Sequence, residues 1–178
     1  MSLGLAKLFT DDPILRRMAL TTPWGFLATG FGAGLLRFAP GTAGTVIAVP
    51  PALVLLGIPP LLATVVVMSL FVLGIPLCRM AASALGESDP GAIVWDEIVG
   101  FCLAAVLAPR GLAWFLAAFL AFRFFDIVKP WPIGWLDRRV GGGIGIMIDD
   151  IVAALYAVLL LRLVEWGGSR IVLLAFPG

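Results

Sequence analysis

Residues 38–78 read FAPGTAGTVIAVPPALVLLGIPPLLATVVVMSLFVLGIPLC and contain no charged side chain. A single helix of these 41 residues would reach about 60 Å, twice the roughly 30 Å thickness of a bilayer's hydrocarbon core. The segment must therefore fold back on itself. Pro59-Pro60 is the expected breaking point and Pro50-Pro51 a second interruption, because proline removes a backbone donor and clashes with the preceding turn. The pattern predicts a helical hairpin with arms at 43–56 and 61–77.

The rest of the chain shows two more apolar regions. Residues 98–122 form a charge-poor stretch that Pro109-Arg110-Gly111 divides, which predicts a second hairpin with Arg110 at its tip. A third apolar helix is predicted from near Ile151 to about Trp166. No segment alternates with a strand period, so the fold class is all-α. We interpret residues 1–178 as a single domain, a compact multi-helical membrane-embedded bundle with short helical hairpins that either cross the bilayer or embed in one leaflet.

The composition narrows the function classes. Apolar residues make up 61% of the chain and charged residues 13%, whereas soluble domains carry about 25% charged residues. The alternative is a compact soluble bundle whose apolar runs are core helices. A net charge of +1 gives no reason to expect a nucleic-acid partner. The absence of histidine excludes Ser-His-Asp triads and histidine-ligated metal sites.

Polar residues are concentrated in four islands, at 30–45, 89–100, 123–139 and 141–150, each at an end of an apolar segment. Hairpins that return to one side would bring the islands together at one membrane face. Their carboxyl groups are Asp89, Asp96, Glu97, Asp126, Asp137, Asp149 and Asp150. Several acids beside an apolar core need a counter-charge, and Mg²⁺ prefers carboxylate oxygen. The alternative is structural: Asp149 and Asp150 as helix caps, and Asp126 as an ion-pair partner of Arg123 or Lys129.

Two glycine-rich stretches, 41–45 and 141–145, are predicted to be turns that bind phosphate. Glycine lets backbone N–H groups approach an anion closely, and Thr42 and Thr45 add hydroxyl donors. Carboxylates, a divalent ion, basic residues and such loops at a membrane face indicate phosphoryl chemistry on a lipid. A cysteine phosphatase is excluded because Arg79 follows Cys78 directly instead of about six residues later. Attack by a metal-activated water remains, with a carboxylate nucleophile as the alternative.

The four islands also resemble a known family. GFGAGLLRFAPGTAGT (30–45), IVWDEIVGF (93–101), FRFFDIVKPWPIGWLDRRV (122–140) and GGIGIMIDDIVAA (142–154) are similar, in order and spacing, to signature segments of phosphatidylglycerophosphatase A. The resemblance implies a bacterial, Mg²⁺-dependent enzyme of the cytoplasmic (inner) membrane that converts phosphatidylglycerophosphate to phosphatidylglycerol and phosphate. The expected partners are this lipid and the membrane, with the active site facing the cytoplasm.

The resemblance also implies site residues. The positions that match the family's acidic motifs, expected to be catalytic and to bind Mg²⁺, are Asp96, Glu97, Asp126, Asp149 and Asp150. The phosphate-binding residues of our hypothesis are Arg123, Lys129, Arg138, Thr42, Thr45, Gly41 and Gly143. The rival functions are a membrane transferase that moves a phospho-alcohol between lipids and a small transporter with the same acidic cluster.

Overall fold

The computed structural model describes residues 8–175, with side chains from 8 to 168. Its described part is helical, without a named strand. The helices are α1 (Pro13–Thr21), α2 (Pro23–Ala28), α3 (Pro40–Ile47), α4 (Val49–Leu56), α5 (Pro60–Leu85), α6 (Trp95–Leu107), α7 (Leu112–Val128), α8 (Ile133–Arg139) and α9 (Gly142–Ala175). A short 3-10 helix, Ala33–Leu35, precedes α3. The all-α prediction is confirmed.

The uncharged segment folds into the predicted hairpin. The second arm, α5, begins at Pro60, where proline fits because a first-turn N–H has no helical partner. The first arm is broken at Ala48, and Pro50 and Pro51 lie in the first turn of α4. The predicted end of the second arm at 77 is wrong. The helix continues through Pro76 to Leu85 and ends at Gly86 with φ +72°, a left-handed conformation that suits glycine.

Helix α6 occupies the centre of the bundle. Every residue from Ile98 to Val106 is buried, and the ring of Phe101 packs edge-on against Phe115 of α7 at 5.4 Å between centroids. The second predicted hairpin is confirmed, since α6 and α7 are joined by residues 108–111. At its tip Arg110 donates to the Leu56 carbonyl of α4 at 2.7 Å, so that helix end has a partner for one of its free carbonyls.

Helix α9 packs against α5, α6, α7 and α8. Its predicted start near Ile151 is wrong, because the helix begins at Gly142 and the glycine-rich stretch forms its first turn instead of a loop. Close packing explains the glycines. A Cβ on Gly143 would lie 1.9 Å from the Ile75 carbonyl oxygen of α5, so only glycine allows α9 to cross α5 at this distance.

A loop contact fixes the amino end of α6. The Val94 N–H donates to the Ala28 carbonyl at 2.9 Å, and a Cβ on Gly34 would lie 1.9 Å from the Ala92 carbonyl oxygen. The segment that follows α2 therefore packs directly on the residues that start α6. This packing holds the first turn of α6, which carries Asp96 and Glu97, in one position.

Among the described residues, two helices are long and apolar enough to cross a membrane, at Pro60–Leu85 and Gly142–Gly168. In the most apolar 18-residue window of α5, only 22% of the residues are buried inside the protein. Its exposed side chains include Leu61, Val72 and Leu73. An apolar surface of this extent is typical of a face that contacts lipid, because soluble monomers rarely expose one. The architecture is that of a membrane-associated helical bundle.

The contact between α9 and α5 gives a stability prediction. We expect Gly143→Ala to lower the free energy of unfolding by about 1–3 kcal/mol, the typical cost of overpacking, because its Cβ meets the backbone of Ile75. The control is Gly141→Ala, where a Cβ meets nothing within 4 Å. Thermal unfolding of both variants in detergent measures the difference. Equal melting temperatures would contradict the packing role of Gly143.

Candidate active site

The centre of the site is a group of three carboxyl groups from two helices. Asp96 and Glu97 lie in the first turn of α6, where the positive end of the helix dipole favours anions. Asp150 lies in the third turn of α9 and is 2% exposed. These three residues each offer one oxygen, and the three oxygens lie within 4.8 Å of one another. Asp150 is distant from the other two in sequence, and the packing of α9 on α6 brings it close to them.

Asp149 and Asp150 are not helix caps, because α9 begins at Gly142 and both lie well inside it. The two adjacent acids serve different neighbours, as residues about 100° apart on a helix must. Asp150 joins the three-carboxyl group. Asp149 accepts a hydrogen bond from Lys129 at 2.8 Å. The helix-cap alternative is therefore wrong for this pair.

Arg123 connects α7 to the carboxyl group on α6. Its guanidinium forms an ion pair with Asp126, one turn further along α7, and lies 3.8 Å from Glu97 Oε1. The absence of a side chain at Gly41 makes room for this arrangement. A Cβ there would lie 2.1 Å from Glu97 Oε1 and 3.1 Å from an Arg123 nitrogen. Gly41 thus lies beside the acidic site, in contact with its protein groups.

Lys129 forms a second charged centre. Its Nζ donates to Asp137 of α8 at 2.6 Å and to Asp149 of α9 at 2.8 Å. Burial lowers the pKa of Lys129, but the two carboxylate hydrogen bonds outweigh burial and the net pKa is raised. The side chain therefore remains cationic at neutral pH. Asp137 was not among the site residues predicted from the sequence. Pro130 and Pro132 interrupt the helix between Asp137 and Lys129, so helical spacing does not predict that the two residues meet.

The site contains more acid than base. Within residues 8–168, six of its carboxyl groups face two cations, Arg123 and Lys129. Burial raises the pKa of Glu97 to about 7 and that of Asp96 well above its usual range, and the proximity of the two groups raises the pKa of Asp96 further. A bound cation would reverse this effect by stabilising the ionised carboxylates.

Several buried polar atoms of the site have no hydrogen-bond partner. They are Asp96 Oδ1, Glu97 Oε2, Asp149 Oδ1, Asp150 Oδ2 and Arg123 Nε. An unpartnered buried oxygen is costly, so four such oxygens in one site indicate a missing partner. The donor set is composed of carboxylates alone, which suits a hard cation such as Mg²⁺. Asp96, Glu97 and Asp150 therefore fit a divalent metal ion.

Comparison with known proteins identifies the same family that the motifs of this site resemble. The family model "Phosphatidylglycerophosphatase A" matches residues 26–165. The chain belongs to the phosphatidylglycerophosphatase A family. It is accordingly a phosphatase that acts on a phosphate monoester. No solved structure matches the chain.

Two curated relatives carry the name phosphatidylglycerophosphatase A. The Escherichia coli K12 protein is 43% identical over 80% of this chain and 83% of its own length. The Haemophilus influenzae protein is 40% identical over 88% of this chain and 98% of its own length. A Bacteroides thetaiotaomicron relative, 36% identical over 79% of this chain and 92% of its own length, carries the provisional name phosphatidylinositol-3-phosphatase.

The predicted phosphate-binding residues have different surroundings in this phosphatidylglycerophosphatase A family member. Thr45 is fully buried and its hydroxyl donates to the Gly41 carbonyl at 2.9 Å, so its proton is already engaged. Thr42 lines an apolar groove on another face of α3. Gly143 lies in the first turn of α9 against Ile75, and residues 41–45 lie within α3, so the two predicted turns are wrong. Phosphate binding by these residues stays a prediction.

Arg138 lies on α8 at the edge of the site. It lines a polar cavity of about 210 Å³ together with Asp89, Asp137, Arg139 and Gly142. Asp137 also accepts the hydrogen bond from Lys129, so this cavity adjoins the charged centre. Arg138 thus shares a cavity with Asp89 and Asp137, and its role in phosphate binding stays a prediction.

The three-carboxyl group gives a prediction for metal binding. We expect Asp96→Asn and Asp150→Asn each to weaken Mn²⁺ binding by at least about tenfold, because each replaces an anionic carboxylate of the group with a neutral amide. Electron paramagnetic resonance of Mn²⁺ added to the purified protein in detergent measures binding without a substrate. Asp137→Asn is the control, because Asp137 lies outside the group and its effect on affinity should be smaller. Equal affinity in all variants would contradict the assignment.

Proposed function

We propose that the protein hydrolyses phosphatidylglycerophosphate to phosphatidylglycerol and inorganic phosphate, with Mg²⁺ as its cofactor, on the cytoplasmic side of a bacterial inner membrane. The convergence of Asp96, Glu97 and Asp150, with buried oxygens that lack partners, carries the proposal. The names of the Escherichia coli and Haemophilus influenzae relatives supply the lipid. Orientation toward the cytoplasm is supported by basic residues at 16, 17, 37, 79, 129, 138 and 139.

The metal ion has a defined place in this hypothesis. Asp96, Glu97 and Asp150 would hold it, and Asp126 would support them through Arg123. Bound there, Mg²⁺ would lower the pKa of a water and offset the negative charge of the phosphate. Arg123 keeps its ion pair with Asp126 while Nε has no partner. This N–H can donate to a phosphate oxygen, as a planar guanidinium does well.

The Lys129 centre has a separate role. Lys129 holds Asp149 through Oδ2, and Asp149 Oδ1 is buried without a partner. This oxygen can accept the proton of the attacking water, which makes Asp149 the proposed general base. Asp137 fixes Lys129 from the other side at 2.6 Å. In this mechanism the lysine would offset the negative charge that develops on the phosphate oxygens in the transition state.

Activity measurements test the five acids. We expect Asp96→Asn, Glu97→Gln, Asp126→Asn, Asp149→Asn and Asp150→Asn each to lower kcat/KM about a hundredfold or more, the usual effect of removing one transition-state interaction. Phosphate release from phosphatidylglycerophosphate in mixed micelles, with Mg²⁺ or with EDTA, is the measurement. Glu87→Gln, at an exposed position outside the acidic group, should retain wild-type activity.

Near wild-type rates in most of the five variants, or full activity in EDTA, would contradict the mechanism. Parallel assays with phosphatidylinositol 3-phosphate test the headgroup, because one relative is named for that activity. A preference for phosphatidylinositol 3-phosphate would replace the proposed substrate. Lipid movement across liposomes without phosphate release would favour the transporter alternative.

A further inference from the structure

A second feature of the surface lies next to the acidic site. An open groove of about 620 Å³ runs between the segment that precedes α3 and the outer face of α3. Its lining includes Phe31, Phe38, Thr42, Ala43 and Val46, and no charged side chain contributes to it within the described residues. Ligand cavities of roughly 300–1,000 Å³ are common in proteins.

The groove and the site lie on two faces of the same helical turn. Gly41 faces Glu97 and Arg123, while the next two residues, Thr42 and Ala43, line the groove. Successive residues of a helix point about 100° apart, so the first turn of α3 separates the two regions by the width of a backbone. The groove and the acids therefore share the first turn of α3 and lie on different sides of it.

The lining suits an alkyl chain. Phe38 is 77% exposed and Val46 54% exposed, which is unfavourable in water for a contiguous apolar surface. The backbone at the rim is also unusual. Phe31 and Ala39 have φ of +58° and +47°, a left-handed conformation that is uncommon for residues other than glycine and that often accompanies ligand sites.

We propose that this groove binds an acyl chain of the lipid substrate and so places the phosphorylated headgroup at the Asp96, Glu97 and Asp150 group. The proposal rests on the proposed function, which supplies a lipid as the substrate. Its position on the helical turn that carries Gly41 distinguishes this groove from another apolar groove of about 560 Å³ on α5, lined by residues 64–73. That second groove is lined by no residue of the acidic site or of α3, so it provides a matched control.

Substitutions that fill each groove give the first test. We expect Ala43→Trp and Val46→Trp each to raise KM for long-chain phosphatidylglycerophosphate in mixed micelles about tenfold or more, as pocket changes of methylene size or larger do. The same variants should hydrolyse deacylated, water-soluble glycerophosphoglycerophosphate with the wild-type kcat/KM. Val65→Trp, in the control groove, should leave both substrates unaffected.

Three outcomes of this test would overturn the proposal. An unchanged KM for the long-chain lipid in both groove variants would show that the groove holds only bulk lipid. An equal loss on the lipid and the deacylated substrate would show damage to the acidic site. An equal effect of Val65→Trp would show that general attachment to micelles is being measured.

A second measurement does not depend on hydrolysis. Phosphatidylglycerophosphate with a diazirine in one acyl chain, photolysed with the full chain in EDTA, should label Phe31, Phe38 and Val46 more than residues 64–73. Excess unlabelled phosphatidylglycerophosphate should suppress that labelling, and phosphatidylcholine should not. Equal labelling of the two grooves would overturn the proposal. If labelling is specific while the wild-type protein releases no phosphate, the groove assignment stands and the proposed hydrolysis fails.

Discussion

The site brings six carboxyl groups together at one end of this bundle, and among the described residues two cations, Arg123 and Lys129, form ion pairs with them. Asp96 and Glu97 are held at the amino end of α6, where the helix dipole is favourable, and Asp150 is brought to them by α9. Glu97 lies near Arg123, and Asp149 is paired with Lys129. Asp96 and Asp150 each have a buried oxygen without a hydrogen-bond partner. Transferring charged groups from water to a protein interior costs free energy. A fold that brings several such groups together therefore indicates that they have a function.

Glycine makes this gathering feasible. At Gly41 a side chain would collide with Glu97, and at Gly100 a Cβ would approach Asp150 Cβ at 3.1 Å. At Gly143 a side chain would collide with the backbone of Ile75. These three positions allow α3 to approach α6, α6 to approach α9, and α9 to approach α5. The glycines of the motifs thus allow the helices to pack closely.

Much of this was accessible from the sequence. The uncharged segment and its prolines predicted the first hairpin, and Pro109-Arg110-Gly111 predicted the second. Acids at the ends of apolar runs predicted the convergence of the acidic residues. The start of α9 was missed because three consecutive glycines disfavour a helix locally, whereas contact with Ile75 outweighs that preference in the fold. The pairing of Lys129 with Asp137 was missed because it crosses the break between α7 and α8, where helical spacing carries no information.

The two ends of the bundle differ in how their helices finish. Far from the acids, Arg110 donates to the Leu56 carbonyl, and Arg162 of α9 donates to the Leu107 carbonyl at 2.8 Å. Leu107 lies 11 residues beyond Asp96 on α6, which is about 16 Å along the axis. Arg110 and Arg162 are therefore engaged by the carboxyl termini of α4 and α6. The acidic site thus lies at one end of the bundle, and the helix ends that accept arginine hydrogen bonds lie at the other. In a bilayer, a protein with this asymmetry would act on the lipids of a single monolayer.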